Sequence, residues 1–346
     1  MKYIHLGRSG VLVSRVCLGT MNFGSVTSET DSHKILDKAI DNGINFIDTA
    51  NVYGNKLGEG VTEQVLGRWF DSRTNLRDKV FLSTKAYCPM GHGINDRGSS
   101  AYHIRSAVDA SLKRLKTDHI DLFILHHIDR GIPNKGDIAV WNIDKPDVIW
   151  PKHLNPITRF EEIWEVMESL ILQGKISYVG LSNFPAWAIV QGMEKAIRRN
   201  FFGPVTVQNM YNLNQRTDEL EIIPACREYG IGYTPWSPLA GGLLAGALEK
   251  YKSGRRASLR TEILNNQQKL EKWEELCSTL GYSPAEVALA WLQHNPIVTS
   301  PIIGPRTLEQ LISNVKTVDI NLDNDTLNEI NKIWKPMGEA PESYSW

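Results

Sequence analysis

The fold is decided by the pattern at residues 101–125, which read AYHIRSAVDASLKRLKTDHIDLFIL. Apolar side chains recur in its first part with the spacing of a helix that buries one face: Ile104, Val108, Leu112 and Leu115. Its last part, Ile120–Leu125, is a short and mostly apolar run of the length of a buried strand. The stretch therefore predicts a helix that leads directly into a strand.

The same alternation extends along the chain. Strands are predicted at Val16–Leu18, Asn45–Asp48, Val80–Thr84, Ile120–Leu125, Tyr178–Leu181, Val205–Val207, Gly232–Pro235 and Ile297–Ile303. Helices are predicted at Ser32–Asn42, Thr62–Phe70, Ala101–Leu115, Phe160–Gln173, Pro185–Asn200, Leu220–Tyr229 and Ala285–Gln293. Strands separated by helices imply parallel pairing, which a closed barrel or an open doubly wound sheet would satisfy. Eight strands and the lack of a Gly-x-Gly-x-x-Gly string favour the barrel. We therefore predict a (β/α)₈ TIM barrel, an α/β fold that forms a single domain over residues 1–346.

Three segments fall outside the eight units. Residues 1–14 are interpreted as an N-terminal hairpin and residues 323–337 as a C-terminal helix. Residues 128–158, after the fourth strand, form a long aperiodic insertion that contains Trp141 and Trp150. Long loops inside compact domains are usually functional, so we expect a lid over the active-site mouth. Its two tryptophans would contact the substrate or, alternatively, pack the loop onto the barrel wall.

Composition excludes several classes of function. Lys+Arg number 38 and Asp+Glu number 39, so no net field attracts nucleic acid or an anionic membrane. The four cysteines form no CxxC pair, which argues against disulfides or structural zinc and fits a reducing compartment. The N-terminus resembles no signal peptide and the apolar runs are too short to span a bilayer. We predict a cytoplasmic protein with neither nucleic acid nor a membrane as partner; the sequence leaves its oligomeric state open.

Polar side chains stand at the ends of six consecutive predicted strands. The ends are occupied by Asp48, Lys85, His126, the pair Ser182-Asn183, Gln208 and the pair Trp236-Ser237. In a (β/α)₈ barrel the carboxyl ends of the strands form the reactive mouth. The sequence therefore predicts an active site at this mouth.

Four of the residues near this mouth suggest a proton donor. Tyr53 follows the second strand, and a phenol with an ordinary pKa near ~10 is a weak acid at neutral pH. The Lys85 ammonium beside it would lower that pKa, and Asp48 would keep the lysine charged. A neutral His126 would orient a carbonyl oxygen by hydrogen bonding. An ordinary Asp48–Lys85 ion pair at a barrel mouth is the alternative.

A metal site is not expected. His126 and His127 are adjacent, and neighbouring residues of a strand point to opposite faces of the sheet. Only one of the two imidazoles could then face the barrel interior. We predict a site that works without metal.

Several short strings resemble the aldo-keto reductases in order and spacing, over about residues 4–333. They are Gly43-Ile-Asn-Phe-Ile-Asp-Thr-Ala-Asn-Val-Tyr-Gly54, Ser83-Thr-Lys85, Asp121-Leu-Phe-Ile-Leu-His126, Gly180-Leu-Ser-Asn-Phe184, Trp236-Ser-Pro-Leu-Ala-Gly-Gly242 and Ile303-Gly-Pro-Arg-Thr307. The resemblance implies a (β/α)₈ barrel that binds NADPH/NADP⁺ and reduces a small-molecule carbonyl substrate. It assigns Tyr53 as the general acid, Lys85 and Asp48 as the pair that lowers its pKa, and His126 as the group that orients the carbonyl.

The resemblance also implies a set of cofactor contacts. Ser182, Asn183 and Gln208 match the groups that bond the nicotinamide carboxamide, and Trp236 matches the aromatic residue that stacks on the nicotinamide ring. Ser237, Leu239 and Gly241 match the pyrophosphate segment. Gly304, Arg306 and Thr307 precede a predicted helix whose N-terminus would attract the 2′-phosphate. Gln310 and Asn314 match the adenine side.

Three functions stay open at this point. The first is an NADPH-dependent carbonyl reductase, and some strings resemble the branch that contains deoxysugar ketoreductases, so a keto-sugar is one candidate substrate. The second is a cofactor-sensing binding protein with little turnover, because potassium-channel β-subunits also resemble this fold. The third is an aldolase that uses Lys85 as a Schiff base, although a lysine kept charged is a poor nucleophile.

Overall fold

This computed structural model describes residues 1–54, 59–73, 75–128, 158–250 and 259–345. The chain groups into two compact units. The first comprises Met1–Thr20, Glu29–Asp48 and Val205–Trp346, and the second comprises Met21–Ser28 and Thr49–Pro204. The single domain over residues 1–346 stays a prediction. The insertion predicted at 128–158 falls, except for its two end residues, outside the described residues, and so do Trp141 and Trp150.

The described strands and helices follow the expected order. The strands are β1 (Tyr3–His5), β2 (Leu12–Ser14), β3 (Cys17–Gly19), β4 (Phe46–Asp48), β5 (Phe81–Ala86), β6 (Ile120–Leu125), β7 (Ile176–Ser182), β8 (Pro204–Gln208), β9 (Gly232–Tyr233) and β10 (Ile302–Ile303). The helices are α1 (Glu29–Asp41), α2 (Val61–Asp71), α3 (Ala101–Leu115), α4 (Phe160–Leu172), α5 (Ala186–Arg198), α6 (Ile222–Glu228), α7 (Ala247–Lys250), α8 (Arg260–Asn265), α9 (Gln267–Leu280), α10 (Pro284–His294), α11 (Leu308–Lys316), α12 (Asn324–Ile333) and α13 (Glu342–Ser345). In the part of the chain that is described, no helix has the length and apolarity needed to cross a membrane.

The first unit holds the hairpin and five of the parallel strands. β1 and β2 pair antiparallel, with Tyr3 opposite Ser14, so the predicted N-terminal hairpin is confirmed. β3 pairs in parallel with both β4 and β10, and β8 pairs in parallel with β9. The predicted C-terminal helix is confirmed as α12.

The second unit holds β5, β6 and β7, which pair in parallel in this order. Lys85 lies opposite Ile124, and Leu125 lies opposite Leu181. All six residues of β5 are buried. Strands that are covered on both faces are expected in parallel sheets, whose helices cover the two sides. Eight parallel strands, β3–β10, alternate with helices, and the predicted (β/α)₈ barrel class is confirmed.

The eighth strand is shorter than predicted. The sequence predicts Ile297–Ile303, whereas regular pairing covers only Ile302–Ile303. The preceding residues bond to the strands on both sides. Thr299 N–H donates to the Tyr233 carbonyl of β9, and the Pro301 carbonyl accepts from Cys17 N–H of β3. Because Pro301 has no N–H to donate, the ladder is interrupted inside the apolar run.

Helix α3 shows how local sequence sets the helix ends. The Ser100 side chain accepts a hydrogen bond from His103 N–H, which satisfies one of the unpaired donors of the first turn. Lys116 ends the helix in the left-handed conformation, with φ 51°. Ile104, Val108 and Leu115 are buried, as the apolar spacing predicts.

Candidate active site

The end of β5 places a lysine in the interior of the second unit. Lys85 is fully buried, at 0% exposure. Its Nζ donates to the Thr49 carbonyl at 2.6 Å and to the Tyr53 hydroxyl at 3.3 Å. The Nζ atom lies 4.9 Å from the centroid of the Tyr53 ring. The ammonium thus holds two oxygens, and one of them is the phenol of the predicted acid.

Backbone pairing brings Tyr53 to this lysine. The segment after β4 runs along β5, since Thr49 N–H donates to the Ser83 carbonyl and Asn51 N–H donates to the Lys85 carbonyl. The chain then turns, with Tyr53 N–H bonded to the Ala50 carbonyl at 3.2 Å. The Tyr53–Lys85 contact therefore follows from strand-like pairing and a short turn.

The third member of this group is His126, directly after β6. Its N–H donates to the Ala86 carbonyl, and its ring meets the Tyr53 ring edge to face with centroids 5.8 Å apart. Burial, and then the charges of Lys85 and His127, hold the His126 pKa well below its usual value. The imidazole is therefore neutral at physiological pH. Its Nδ1 atom is buried and has no hydrogen-bond partner among the described residues.

The neighbouring histidine corrects one expectation. His126 and His127 do not point to opposite faces: their rings are stacked, with centroids 5.0 Å apart and planes 21° from parallel. The reason is that β6 ends at Leu125, so strand alternation does not extend to these residues. Burial lowers the pKa of His127 to about 4, and its ring also contacts Tyr87. Within the described ranges, no group of three or more His, Cys, Asp or Glu residues could hold a metal.

The residues at the carboxyl end of β7 join the same cluster. Ser182 is buried, and Asn183 adopts a left-handed backbone with φ 59°. The Asn183 Nδ2 atom donates to the His126 carbonyl at 2.9 Å and to the Ser182 hydroxyl at 3.1 Å. The structure thus brings together five predicted site residues of the second unit: Tyr53, Lys85, His126, Ser182 and Asn183.

Asp48 and Gln208 form a pair in the first unit. Asp48, the last residue of β4, is 2% exposed, and its Oδ1 accepts from Gln208 Nε2 at 3.0 Å. Sequence reasoning assigned Gln208 to a carboxamide contact and missed this bond, although both residues end strands. The predicted partnership between Asp48 and Lys85 stays a prediction.

The segment after β9 has an unusual backbone. Trp236 is half-buried, and its N–H donates to the Asn209 carbonyl at 3.0 Å. Ser237, Ala240, Gly241 and Gly242 have φ values of 53°, 48°, 67° and 112°, so four residues of this short segment have a positive φ. Leu239 lies between them and accepts backbone bonds through its carbonyl. Such turns direct successive N–H groups toward one side, where an anion can bind.

The N-terminus of α11 carries the predicted phosphate residues. Thr307 caps the helix by accepting from Gln310 N–H at 3.3 Å. The Gln310 side chain in turn accepts from Arg306 N–H at 2.8 Å. Gly304 is exposed and Arg306 is half-buried, and Asn314 is 8% exposed one turn further along the helix. The helix start that the sequence predicts is confirmed, but the Gln310 side-chain oxygen serves here as a cap.

Two groups near Lys85 were not singled out from the sequence. The Thr49 carbonyl is a backbone atom, so no residue type could have revealed its bond to Lys85. Asn51 is fully buried, and neither side-chain amide atom finds a hydrogen bond within the described part of the chain. Its position between Asp48 and Tyr53 is the signal that could have drawn attention to it.

Comparison with known proteins gives a consistent result. The model of the Aldo/keto reductase family matches residues 15–335. An uncharacterized oxidoreductase, YrpG, from Bacillus subtilis (strain 168) is 45% identical, with 100% of both chains covered. A probable voltage-gated potassium channel subunit beta from Arabidopsis thaliana is 32% identical over 99% of this chain and 100% of its own. Norsolorinic acid reductase stcV from Emericella nidulans is 32% identical over 93% of this chain and 78% of its own.

Proposed function

The chain belongs to the aldo/keto reductase family, and we propose that it reduces an aldehyde or ketone with NADPH, using Tyr53 as the general acid. The observation that carries the proposal is the contact between the Tyr53 hydroxyl and the buried Lys85 ammonium, with a neutral His126 beside them. A phenol, an ammonium and a neutral imidazole in contact are suited to protonate a carbonyl oxygen.

Each of these groups has a distinct task. The bound cofactor would supply a hydride from nicotinamide C4 to the carbonyl carbon. Tyr53 donates its hydroxyl proton to the carbonyl oxygen, and Lys85 stabilises the phenolate that this leaves. His126, which burial keeps neutral, donates an N–H bond to the same oxygen and orients it. Asp48 is proposed to keep Lys85 charged.

The residues of the first unit fit a nucleotide cofactor. The α11 N-terminus and Arg306 provide N–H donors and positive charge, the combination that binds a phosphate. We assign the 2′-phosphate to Gly304, Arg306 and Thr307, and the adenine side to Gln310 and Asn314. The left-handed segment with Ser237, Leu239 and Gly241 would hold the pyrophosphate. This set supports a preference for NADPH over NADH.

The nicotinamide end would be held by side chains at the strand ends. Ser182, Asn183 and Gln208 offer hydroxyl and amide groups for the carboxamide, and Trp236 offers an indole face for stacking. Gln208 donates through Nε2 to Asp48, and its amide also carries a carbonyl oxygen, the type of group that accepts from a carboxamide N–H.

The test is a fluorescence titration with NADPH and NADH, followed by an activity panel of aldehydes, quinones and keto-sugars. Cofactor oxidation that depends on a carbonyl compound, with tighter binding of NADPH than of NADH, is the expected result. Tight binding without turnover of any carbonyl compound would contradict a reductase and favour a cofactor-sensing binding protein. Borohydride trapping of a substrate on Lys85 would instead indicate the Schiff-base aldolase.

A further inference from the structure

We propose that the first turn of α2 positions the catalytic pair, with Thr62 holding Tyr53 and Glu63 holding the strand that carries Lys85. The inference rests on the proposed function, because it concerns the pair assigned there. Thr62 and Glu63 are positioning residues, since neither contacts the reacting atoms in this account. Two successive residues of one helix would thus set the separation of two catalytic side chains.

The Tyr53 side of this arrangement is a backbone bond. Thr62 N–H donates to the Tyr53 carbonyl at 3.3 Å, and the Thr62 hydroxyl donates to the Phe23 carbonyl at 3.0 Å. The next residue, Gly54, packs so closely on α2 that a Cβ there would lie 2.5 Å from the Val61 Cβ. The start of α2 therefore fixes the chain on the C-terminal side of Tyr53 by bonding and by close packing.

The Lys85 side is a buried side-chain bond. The Thr84 hydroxyl donates to Glu63 Oε1 at 2.6 Å, and both residues are 0% exposed. Adjacent residues of a strand point to opposite faces. Thr84 therefore faces α2 while Lys85 faces the other way, toward Thr49 and Tyr53. The bond to Thr84 fixes the orientation of the strand about its own axis. It therefore also fixes the position from which the Lys85 side chain extends.

Glu63 is itself held at both oxygens. Arg114 of α3 donates through Nε to Glu63 Oε2 at 2.7 Å, and its Nη2 donates to the Ser111 hydroxyl at 3.2 Å. A buried carboxylate is tolerated when it is paired and fully bonded. The pairing joins α2, α3 and β5, so the position of Thr84 is set by two helices.

The geometry of the catalytic pair makes it sensitive to this support. The 3.3 Å between Lys85 Nζ and the Tyr53 hydroxyl lies beyond the usual length of an N–H···O bond. A small shift of β5 would weaken the contact further, and with it the stabilisation of the phenolate. Support from α2 therefore affects the acidity of Tyr53.

The experiment compares three variants of the full chain. Thr84→Val removes the hydroxyl without changing any charge, and Thr84→Ser restores it. Thr117→Val is the matched control, because it also removes a hydroxyl whose contacts lead to β5. The Thr117 hydroxyl accepts from Arg77, and Arg77 pairs with Asp121. Asp121 in turn accepts from Leu82 N–H near the start of β5. Each variant is also made in combination with Tyr53→Phe. The absorbance titration of the Tyr53→Phe form is subtracted from that of its parent, so that the difference reports the ionisation of Tyr53 alone.

Thr84→Val should raise the titration midpoint of Tyr53 by about half a unit to one unit and lower kcat about tenfold. Thr84→Ser should recover the wild-type midpoint, and Thr117→Val should leave it unchanged. An unshifted midpoint in Thr84→Val, an equal shift in Thr117→Val, or no recovery in Thr84→Ser would overturn the inference. The titration needs no substrate, so it decides this point even if the chain reduces no carbonyl compound and the proposed function fails.

Discussion

The Tyr53–Lys85–His126 cluster of the second unit and the α11 N-terminus of the first unit are built in opposite ways. In the cluster, Lys85 is fully buried and bonds to two oxygens, and burial keeps His126 neutral. At α11, Thr307 and Gln310 are exposed, and the bonds that order them involve backbone N–H groups. The proposed proton transfer would depend on the protonation states of a few buried groups, whereas the proposed anion binding would use a helix dipole and one guanidinium.

This contrast indicates which substitutions should have large effects on activity. A buried group that acts on the transition state is difficult to replace, because bulk water has poor access to its position. An exposed phosphate site has several donors, and water can replace one of them. Substitutions in the cluster should therefore affect the rate strongly, while substitutions at α11 should change affinity moderately.

The largest effect is expected for Tyr53→Phe, which removes the proton donor and keeps the ring. The value of kcat/KM for a carbonyl substrate should fall by about 10²–10⁴-fold. Steady-state kinetics measure this loss, and a titration should show NADPH affinity within about twofold of wild type. A variant as active as wild type would show that another group supplies the proton.

The next effect concerns the buried ion pair behind the cluster. Glu63→Ala leaves the Arg114 guanidinium without its carboxylate and should lower the free energy of unfolding by about 3–5 kcal/mol. Glu329→Ala is the control, since Glu329 and Lys332 form a pair whose side chains are 53% and 70% exposed, and it should cost less than about 1 kcal/mol. Urea denaturation measures the free energy of unfolding of both variants. Equal losses of stability would contradict the contrast between buried and exposed sites.

A moderate effect is expected at the anion site. Arg306→Ala should weaken NADPH binding by about tenfold to a hundredfold and leave NADH binding unchanged, because only NADPH carries the 2′-phosphate. Lys316→Ala removes a cation from the last turn of the same helix and is the control. Fluorescence titrations measure the dissociation constants. Equal losses of affinity for NADPH and NADH would show that Arg306 does not contact the 2′-phosphate.

The smallest effect is a pH dependence of stability. Burial lowers the pKa of His127 to about 4 and holds that of His126 well below its usual value. Below the unfolded value of about 6.5 the unfolded chain binds protons that the folded chain does not, so stability decreases as pH falls toward 4. His127→Gln should remove about 1–2 kcal/mol of the loss between pH 7 and pH 5. Denaturation midpoints measured across this range check the slope, and an unaltered slope in the variant would show that the His127 pKa is the same in the folded and the unfolded chain.

Most of the fold can be predicted from the sequence, because the same pattern of a strand followed by a helix recurs along the chain. Alternating strand and helix signals predict β3–β10 in order, and apolar spacing predicts α3. The eighth strand is overestimated because an apolar run does not reveal that Pro301 interrupts its ladder. Side chains at strand ends predict the Tyr53, Lys85 and His126 cluster, because strand direction places such ends on one rim.

What the sequence could not predict depends on backbone atoms and on geometry past the strand ends. The Thr49 carbonyl bonds Lys85, but every residue type has a carbonyl. The stacking of His126 on His127 depends on where β6 ends, which a pattern places only within a few residues. The Thr84–Glu63 bond joins residues that are 21 positions apart, and nothing local to either one indicates the other.

Hydride transfer with Tyr53 as the acid is tested most directly by following isotope transfer from NADPH deuterated at both positions of nicotinamide C4. Wild-type protein and the Tyr53→Phe variant are incubated with the same carbonyl substrate, and the alcohol is analysed by mass spectrometry. We expect one deuterium on the former carbonyl carbon in wild type and a rate lower by about two or more orders of magnitude in the variant. An alcohol without deuterium, or equal rates in the two proteins, would contradict a reductase in which Tyr53 is the acid.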